Sequence, residues 1–183
     1  GQIEEGTVKP GDKITALPSG ETAVVTEVYV CDKMVRQAIS GQPVTICIDR
    51  EMDISRGCVI VGETDAKVAN LFRSQVLWMD DEPLQTGKSY YLKIGTKKIL
   101  ASITRVCHGI DINSGKRVTC DTLNKNEIGV CEIMTADKVV LAQFSKINSL
   151  GCFILIDGES NMTSACGVVK RELNREDNVV WQD

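Results

Sequence analysis

The chain has 183 residues, a formal net charge of -4 at pH 7 and no long run of either charge. This balance argues against the clustered Lys and Arg that neutralise a nucleic-acid backbone, so we predict no nucleic-acid partner. No stretch approaches the roughly 18 consecutive apolar residues that a membrane-spanning helix needs, and we predict a cytoplasmic protein without a membrane partner.

The first part of the chain alternates turn signals with strand-like runs. Residues 9–12 (KPGD) and 18–21 (PSGE) have the Pro and Gly of tight turns, and residues 22–31 are rich in Val, Thr and Tyr. Residues 33–40 have helix-like spacing but are too few for a stable helix, which favours an ordered loop or a single turn. Residues 43–49 alternate apolar and polar positions, as a half-buried strand does.

The turn DREMDISRG at 49–57 leads into residues 58–61 (CVIV), which are wholly apolar. We predict that this run is a strand closing into a core, with Gly57 relaxing the backbone at the corner. Up to Gly62, the pattern predicts a small barrel of about six strands.

Residues 63–68 are the most polar stretch between two apolar segments, and we place a domain boundary there, giving domains 1–65 and 66–183. Turn residues in the second domain separate strand-like runs at 72–79, 89–94, 97–107, 128–134, 138–141, 151–156 and 164–170. No helix of ordinary length is predicted. The fold class is all-β, with two consecutive small β-barrels.

The chain offers no complete catalytic, metal or cofactor site. His108 is the single histidine, and the adjacent Cys107 is expected on the opposite face of their strand. The pairs Asp111 with Asp121 and Asp49 with Asp53 are not placed in a pocket by anything in the sequence. The eight cysteines lie mostly in apolar runs without a C-x-x-C, which favours reduced thiols over disulfides.

Two short matches to nucleotide-binding motifs are interpreted as turns. Residues 87–89 (GKS) resemble the end of a P-loop, but Glu82 stands where the first glycine belongs, and the surroundings are β rather than strand-to-helix. Residues 124–127 (NKNE) resemble the guanine-reading Asn-Lys-x-Asp, but Glu replaces Asp and no P-loop accompanies them.

Several motifs in order resemble the second and third domains of elongation factor Tu-type GTPases, and within them the large, GTPase subunit of sulfate adenylyltransferase. They are GTVKPGD at 6–12, LPSG at 17–20, DISRG at 53–57, VLWM at 76–79, GKSY at 87–90 and FILID at 153–157. Cys58 and Gly158 depart from this pattern, where an acidic residue and an arginine are expected. The resemblance implies a translation-factor-type barrel followed by an elongation factor Tu C-terminal-like barrel.

The resemblance further implies a non-catalytic part of a subunit whose GTPase domain, with its GTP and Mg²⁺, precedes this chain. That subunit forms a heterodimer with a catalytic small subunit, and the complex makes adenosine 5′-phosphosulfate and pyrophosphate from ATP and sulfate, driven by GTP hydrolysis. Asp49, Arg50, Asp53 and Arg56 are then candidate interdomain contacts. The alternatives are a translation-type barrel pair that binds aminoacyl-tRNA and a free-standing enzyme using His108 and cysteines.

Overall fold

The computed structural model describes residues 1–173, and the chain forms two compact units, Gly1–Thr64 and a second from Asp65 onward. The strands of the first unit are β1 (Thr7–Val8), β2 (Lys13–Leu17), β3 (Glu21–Val30), β4 (Lys33–Met34), β5 (Ala38–Ile39), β6 (Thr45–Ile48) and β7 (Val59–Val61). The second unit contains β8 (Lys67–Trp78), β9 (Ser89–Ile94), β10 (Lys97–Ile110), β11 (Arg117–Val118), β12 (Ile128–Leu141), α1 (Asn148–Gly151), β13 (Cys152–Asp157) and β14 (Thr163–Glu172).

The first unit is built around the long strand β3. Strands β4, β3, β2 and β7 are hydrogen-bonded in that order, β6 also pairs with β3, and β1 pairs with β5. Ala23, Val25 and Val28 of β3 point into the core with Ile14 and Ala38. These core residues are two apart up to Val25 and three apart after it. The β3–β6 ladder shifts register at this point, and one extra residue in the strand lets Val28 point inward again.

Two local predictions for the first unit are wrong. Residues 33–40 contain the short strands β4 and β5 rather than only a loop or turn, because Cys31 and Asp32 adopt positive φ angles of 47° and 64° and fold β4 back onto β3. The apolar strand β7 does not close into the core. It pairs with β2 on one side, and all three of its residues keep partial or full exposure.

The second unit is a closed barrel of six antiparallel strands. Its order is β10, β12, β8, β14, β13 and β9, and β9 pairs with β10 to complete the circle, while the short β11 extends β10 at one end. Strand closure leaves no unpaired edge in the body of the barrel. Along each strand, inward side chains alternate with outward ones. The cross-strand register then shows which outward residues of neighbouring strands lie side by side on the outer face.

Aromatic side chains fill the centre of this barrel. The rings of Phe72 and Phe153 meet edge to face at 6.0 Å, and those of Trp78 and Tyr90 do so at 5.9 Å. The indole N–H of Trp78 donates to the carbonyl oxygen of Glu82 at 2.7 Å, which satisfies the one polar atom of a side chain that is 1% exposed.

The all-β prediction is confirmed. Within residues 1–173 the single α-helical segment is the four-residue turn α1. No helix in this part of the chain has the length and apolar composition that crossing a membrane requires.

Candidate interaction surfaces

The turn after β6 is anchored by its first residue, Asp49. One carboxylate oxygen accepts the backbone N–H of Val24 at 2.9 Å, and the guanidinium of Arg50 contacts both oxygens, at 2.9 and 3.2 Å. The Arg50 guanidinium, and after it the Val24 amide, lower the pKa of Asp49 to about 2. Asp49 and Arg50 therefore form a close pair that ties the start of the turn to β3.

Asp53 and Arg56, the other two predicted contact residues, stand apart from this pair. Both are exposed, and neither side chain has a hydrogen bond or ion pair with any residue in the part of the chain that is described. Gly57 has a φ of 101°, a conformation that favours glycine, and it turns the chain toward β7. The structure thus brings Asp49 and Arg50 together and leaves Asp53 and Arg56 in solvent; an interdomain role for the four stays a prediction.

His108 and Cys107 do not form a nucleophile pair. The expectation that they face opposite sides is wrong, because the β10–β12 register shifts between Val106 and His108 and turns both side chains outward. Burial, and after it the charges of Arg117 and Arg73, lower the pKa of His108. Burial raises the pKa of the Cys107 thiol, so these shifts favour a neutral imidazole beside a protonated thiol.

The other chemical groups suggested by the sequence belong to turns. Lys88 of the GKS match forms an ion pair with Asp157 at 2.7 Å and lies 5.4 Å from the centre of the Tyr90 ring. In the NKNE match, Glu127 accepts hydrogen bonds from the backbone and side-chain N–H groups of Asn124. The interpretation of both matches as turns is confirmed. Among residues 1–173, no group of three or more His, Cys, Asp or Glu side chains is arranged to hold a metal ion.

A row of charged residues crosses the outer face of the second barrel. Register pairs Arg105 of β10 with Glu132 of β12, Glu132 with Arg73 of β8, and Arg73 with Arg171 of β14. A guanidinium nitrogen of Arg73 lies 2.6 Å from a carboxylate oxygen of Glu132, whose side chain is only 8% exposed. We call these four residues the arginine row. The sequence did not predict this row, because its four residues are far apart in the chain. Bulges in β10 and β14 decide which way the side chains of Arg105 and Arg171 point.

An apolar depression of about 700 Å³ lies on the same outer face. Gln75, two residues along β8 from Arg73, lines it with Leu77, Val168 and the exposed ring of Phe144. Lys93 is the single charged residue among the described side chains that line it. The face therefore joins an apolar surface to a positively charged one.

Residues 71–170 match the family described as GTP-eEF1A C-terminal domain-like, and this match covers more than half of the chain. The chain belongs to this family. The matched range contains nearly all of the closed barrel, from the fifth residue of β8 through most of β14. These residues lie within the second domain, 66–183, for which the sequence predicts an elongation factor Tu C-terminal-like barrel.

Relatives that carry sulfate adenylyltransferase names align with the whole chain or nearly all of it. The bifunctional enzyme CysN/CysC of Xylella fastidiosa is 37% identical over 183 residues, which are 100% of this chain and 29% of that protein. Sulfate adenylyltransferase subunit 1 of Vibrio cholerae is 39% identical over 174 residues, which are 94% of this chain and 37% of that protein. The predicted resemblance is confirmed, and the chain spans about a third of the length of these relatives.

Solved structures of sup35 and of a translation elongation factor share the fold. Sup35 complexed with GDP has a TM-score of 0.84 at 23% identity, over 95% of this chain and 43% of that chain. Elongation factor SelB of Methanococcus maripaludis has a TM-score of 0.77 at 16% identity, over 97% of this chain and 40% of that chain. These likenesses support the all-β fold of this chain.

Proposed function

We propose that the chain is the non-catalytic β-barrel part of a GTPase subunit of sulfate adenylyltransferase, acting in sulfate assimilation in the cytoplasm. In this proposal a GTPase domain elsewhere in the same protein binds GTP and Mg²⁺. A separate catalytic small subunit binds ATP and sulfate and forms adenosine 5′-phosphosulfate and pyrophosphate. The chain holds the GTPase domain and couples its nucleotide state to the small subunit, without a nucleic-acid or membrane partner.

The observation that carries the proposal is identity spread along the chain rather than confined to one motif. Proteins named sulfate adenylyltransferase subunit 1 align with 94–97% of the chain at 34–39% identity. These alignments therefore cover the first unit, with its DISRG turn, as well as the second barrel that matches the family. A translation-type likeness in the solved structures is weaker in sequence, at 16–24% identity.

The architecture suits a mechanical role. The second barrel is closed on itself, and edge-to-face aromatic pairs fix its interior, so it moves as a rigid body. Rigid bodies transmit a nucleotide-dependent change by rotating as units and exchanging contacts at their surfaces. The exposed charges of the 49–57 turn, with Asp53 and Arg56 held in solvent, are the contacts that we assign to this exchange in the first unit.

A chimaera tests the proposal. The corresponding barrels of the Vibrio cholerae subunit 1 are replaced by this chain, and the product is mixed with the catalytic small subunit of the same organism. We expect the two proteins to copurify and to form adenosine 5′-phosphosulfate in a GTP-stimulated reaction. A matched chimaera with the barrels of the Photobacterium profundum subunit 1 is the positive control.

Three results would contradict the proposal. One is a chimaera that hydrolyses GTP but neither binds nor stimulates the small subunit, while the Photobacterium control does both. Another is tight binding of aminoacyl-tRNA by this chain at physiological salt, which would favour the translation-type alternative. The third is GTP hydrolysis by this chain alone, which would place a nucleotide site within it.

A further inference from the structure

The arginine row carries more positive charge than its own residues neutralise. Three guanidiniums and one carboxylate occupy adjacent positions on four neighbouring strands, although the chain as a whole has a net charge of -4. Glu132 is engaged by Arg73, and Arg105 and Arg171 at the two ends of the row are exposed. Register also places Arg171 directly opposite Arg73, and like charges in that position on a sheet repel one another.

The positive region extends along β10 beyond the row. His108 faces outward on the same strand as Arg105, and Arg117 of β11 pairs opposite Ile110. After burial, the charges of Arg117 and Arg73 lower the pKa of His108, in keeping with their positions near it on the surface. No carboxylate lies among the described residues that line the neighbouring depression, and Lys93 adds a further positive charge there.

The geometry of the face defines what fits it. Neighbouring strands are about 4.8 Å apart, so Arg105 and Arg171 lie roughly 14 Å from one another across the row. Leu77 lies four residues along β8 from Arg73, or roughly 13 Å at the rise of a strand. A single short segment with carboxylates at one end and an apolar side chain about four extended residues away reaches both parts.

We propose that the arginine row and the apolar depression together form a docking surface for an acidic, apolar segment of a partner protein. Carboxylates of that segment pair with Arg105 and Arg171, and an aliphatic or aromatic side chain packs beside Phe144 and Leu77. A nucleic acid fits less well. Its phosphates would meet the Glu132 carboxylate in the middle of the row, and Phe144 and Phe153 are the two aromatic residues among the described residues that line the depression, where stacked bases would need a series of rings.

The test is selection of random dodecapeptides displayed on phage against the full chain. We expect enriched peptides to contain two or more Asp or Glu residues and, about four positions away, a Leu, Phe or Trp. The enriched peptides are then synthesised with a fluorophore, and their affinity is measured by anisotropy at 0.15 M NaCl. The double variant Arg105→Ser/Arg171→Ser should bind them about tenfold more weakly, and Phe144→Ala should weaken binding severalfold.

Controls separate the site from general charge and from misfolding. Arg36→Ser removes an exposed arginine of the first unit and should leave peptide affinity unchanged. Circular dichroism melting tests whether each variant folds; if Arg105→Ser/Arg171→Ser does not, Arg105→Gln/Arg171→Gln replaces it. A labelled single-stranded RNA of 20 nucleotides is titrated in parallel.

Three outcomes overturn the proposal. The first is that no peptides are enriched. The second is that enriched peptides bind the wild type and a folded double variant with the same affinity. The third is that the RNA binds the wild type more tightly than the peptides do and binds the double variant more weakly. Enrichment of acidic, apolar peptides with loss in the double variant supports it. None of these outcomes depends on sulfate activation, so the docking surface and the proposed function stand or fall separately.

Discussion

Gly151, at the end of α1, lies where any side chain would meet the backbone of the preceding segment. A β-carbon at this position would overlap the α-carbon of Phe144, lie 2.6 Å from the Phe144 nitrogen and 3.1 Å from the carbonyl carbon of Gln143. Real β-carbons essentially never approach other heavy atoms within 3.0 Å. Because these neighbours are backbone atoms, no rotamer change relieves the overlap. We predict that Gly151→Ala strongly destabilises the second barrel.

The magnitude follows from what must move. Two backbone hydrogen bonds fix the segment, from Ala142 N–H to Leu150 at 2.9 Å and from Phe144 N–H to Val169 at 3.1 Å. Over-packing of a filled interior costs about 1–3 kcal/mol, and weakening one such hydrogen bond adds about 0.5–1.5 kcal/mol. We therefore expect the free energy of unfolding to fall by about 2–4 kcal/mol.

Urea unfolding followed by tryptophan fluorescence measures this effect. The chain has two tryptophans, so a Trp181→Phe background leaves Trp78 as the reporter, and its burial inside the barrel restricts the signal to the second unit. Gly158→Ala is the matched control, since its β-carbon would meet only the Tyr91 ring at an ordinary 3.7 Å. It should change stability by less than about 0.5 kcal/mol. Equal effects of the two substitutions would refute the reasoning.

Three further predictions concern charged groups. The folded pKa of Asp49 is about 2, below its ordinary value. Asp49 therefore contributes stability above about pH 4, and this contribution is lost as the pH falls from about 4 to 2. Arg50→Ala should raise the pKa of Asp49, which a ¹³C carboxyl NMR titration measures. Glu132→Gln removes the largely buried carboxylate that pairs with Arg73, and should lower the free energy of unfolding by about 1–3 kcal/mol in urea. If the proposed function is right, Arg50→Glu/Arg56→Glu in the whole subunit should reduce GTP-stimulated adenylyl transfer while GTP hydrolysis persists.

Each of these has an outcome that contradicts it. An unchanged Asp49 titration in Arg50→Ala would mean that the bidentate contact does not set the pKa. For Glu132 the matched control is Asp81→Asn, which breaks the exposed ion pair with Lys125 and should cost no more than about 1 kcal/mol; an equal loss of stability in the two variants would contradict the prediction. If Arg50→Glu/Arg56→Glu left GTP-stimulated adenylyl transfer unchanged, the 49–57 turn would have no role in interdomain contacts.

Local pattern predicts most strands of this fold, because an alternating strand and a Gly- or Pro-containing turn are encoded within a few residues. The turns at 9–12 and 18–21 and the hairpin at Gly95 all lie where the sequence places them. The exposure of β7 could not be predicted from local pattern. Its apolar run is typical of a central strand, but burial depends on neighbours supplied by distant parts of the chain, and β2 alone pairs with it.

The surfaces were less predictable than the strands, because bulges change which way a side chain points. One extra residue near Cys107 turns both it and His108 outward, and similar shifts in β10 and β14 align Arg105 and Arg171 with Arg73. No periodicity in the sequence marks such shifts. The resemblance to GTPase subunits, in contrast, rests on short motifs such as DISRG, which are legible without any knowledge of register.

The order of strands in the closed barrel has a consequence for its synthesis on the ribosome. Strand β14 lies between β8 and β13, and it follows every other strand of the barrel in the described chain. Until Thr163–Glu172 have left the ribosome, the hydrogen-bonding edges of β8 and β13 remain open, and open edges of this kind pair readily with other chains. During translation the barrel is therefore vulnerable to aggregation until this closing strand arrives, and a stop codon just before Thr163 would leave both edges permanently exposed.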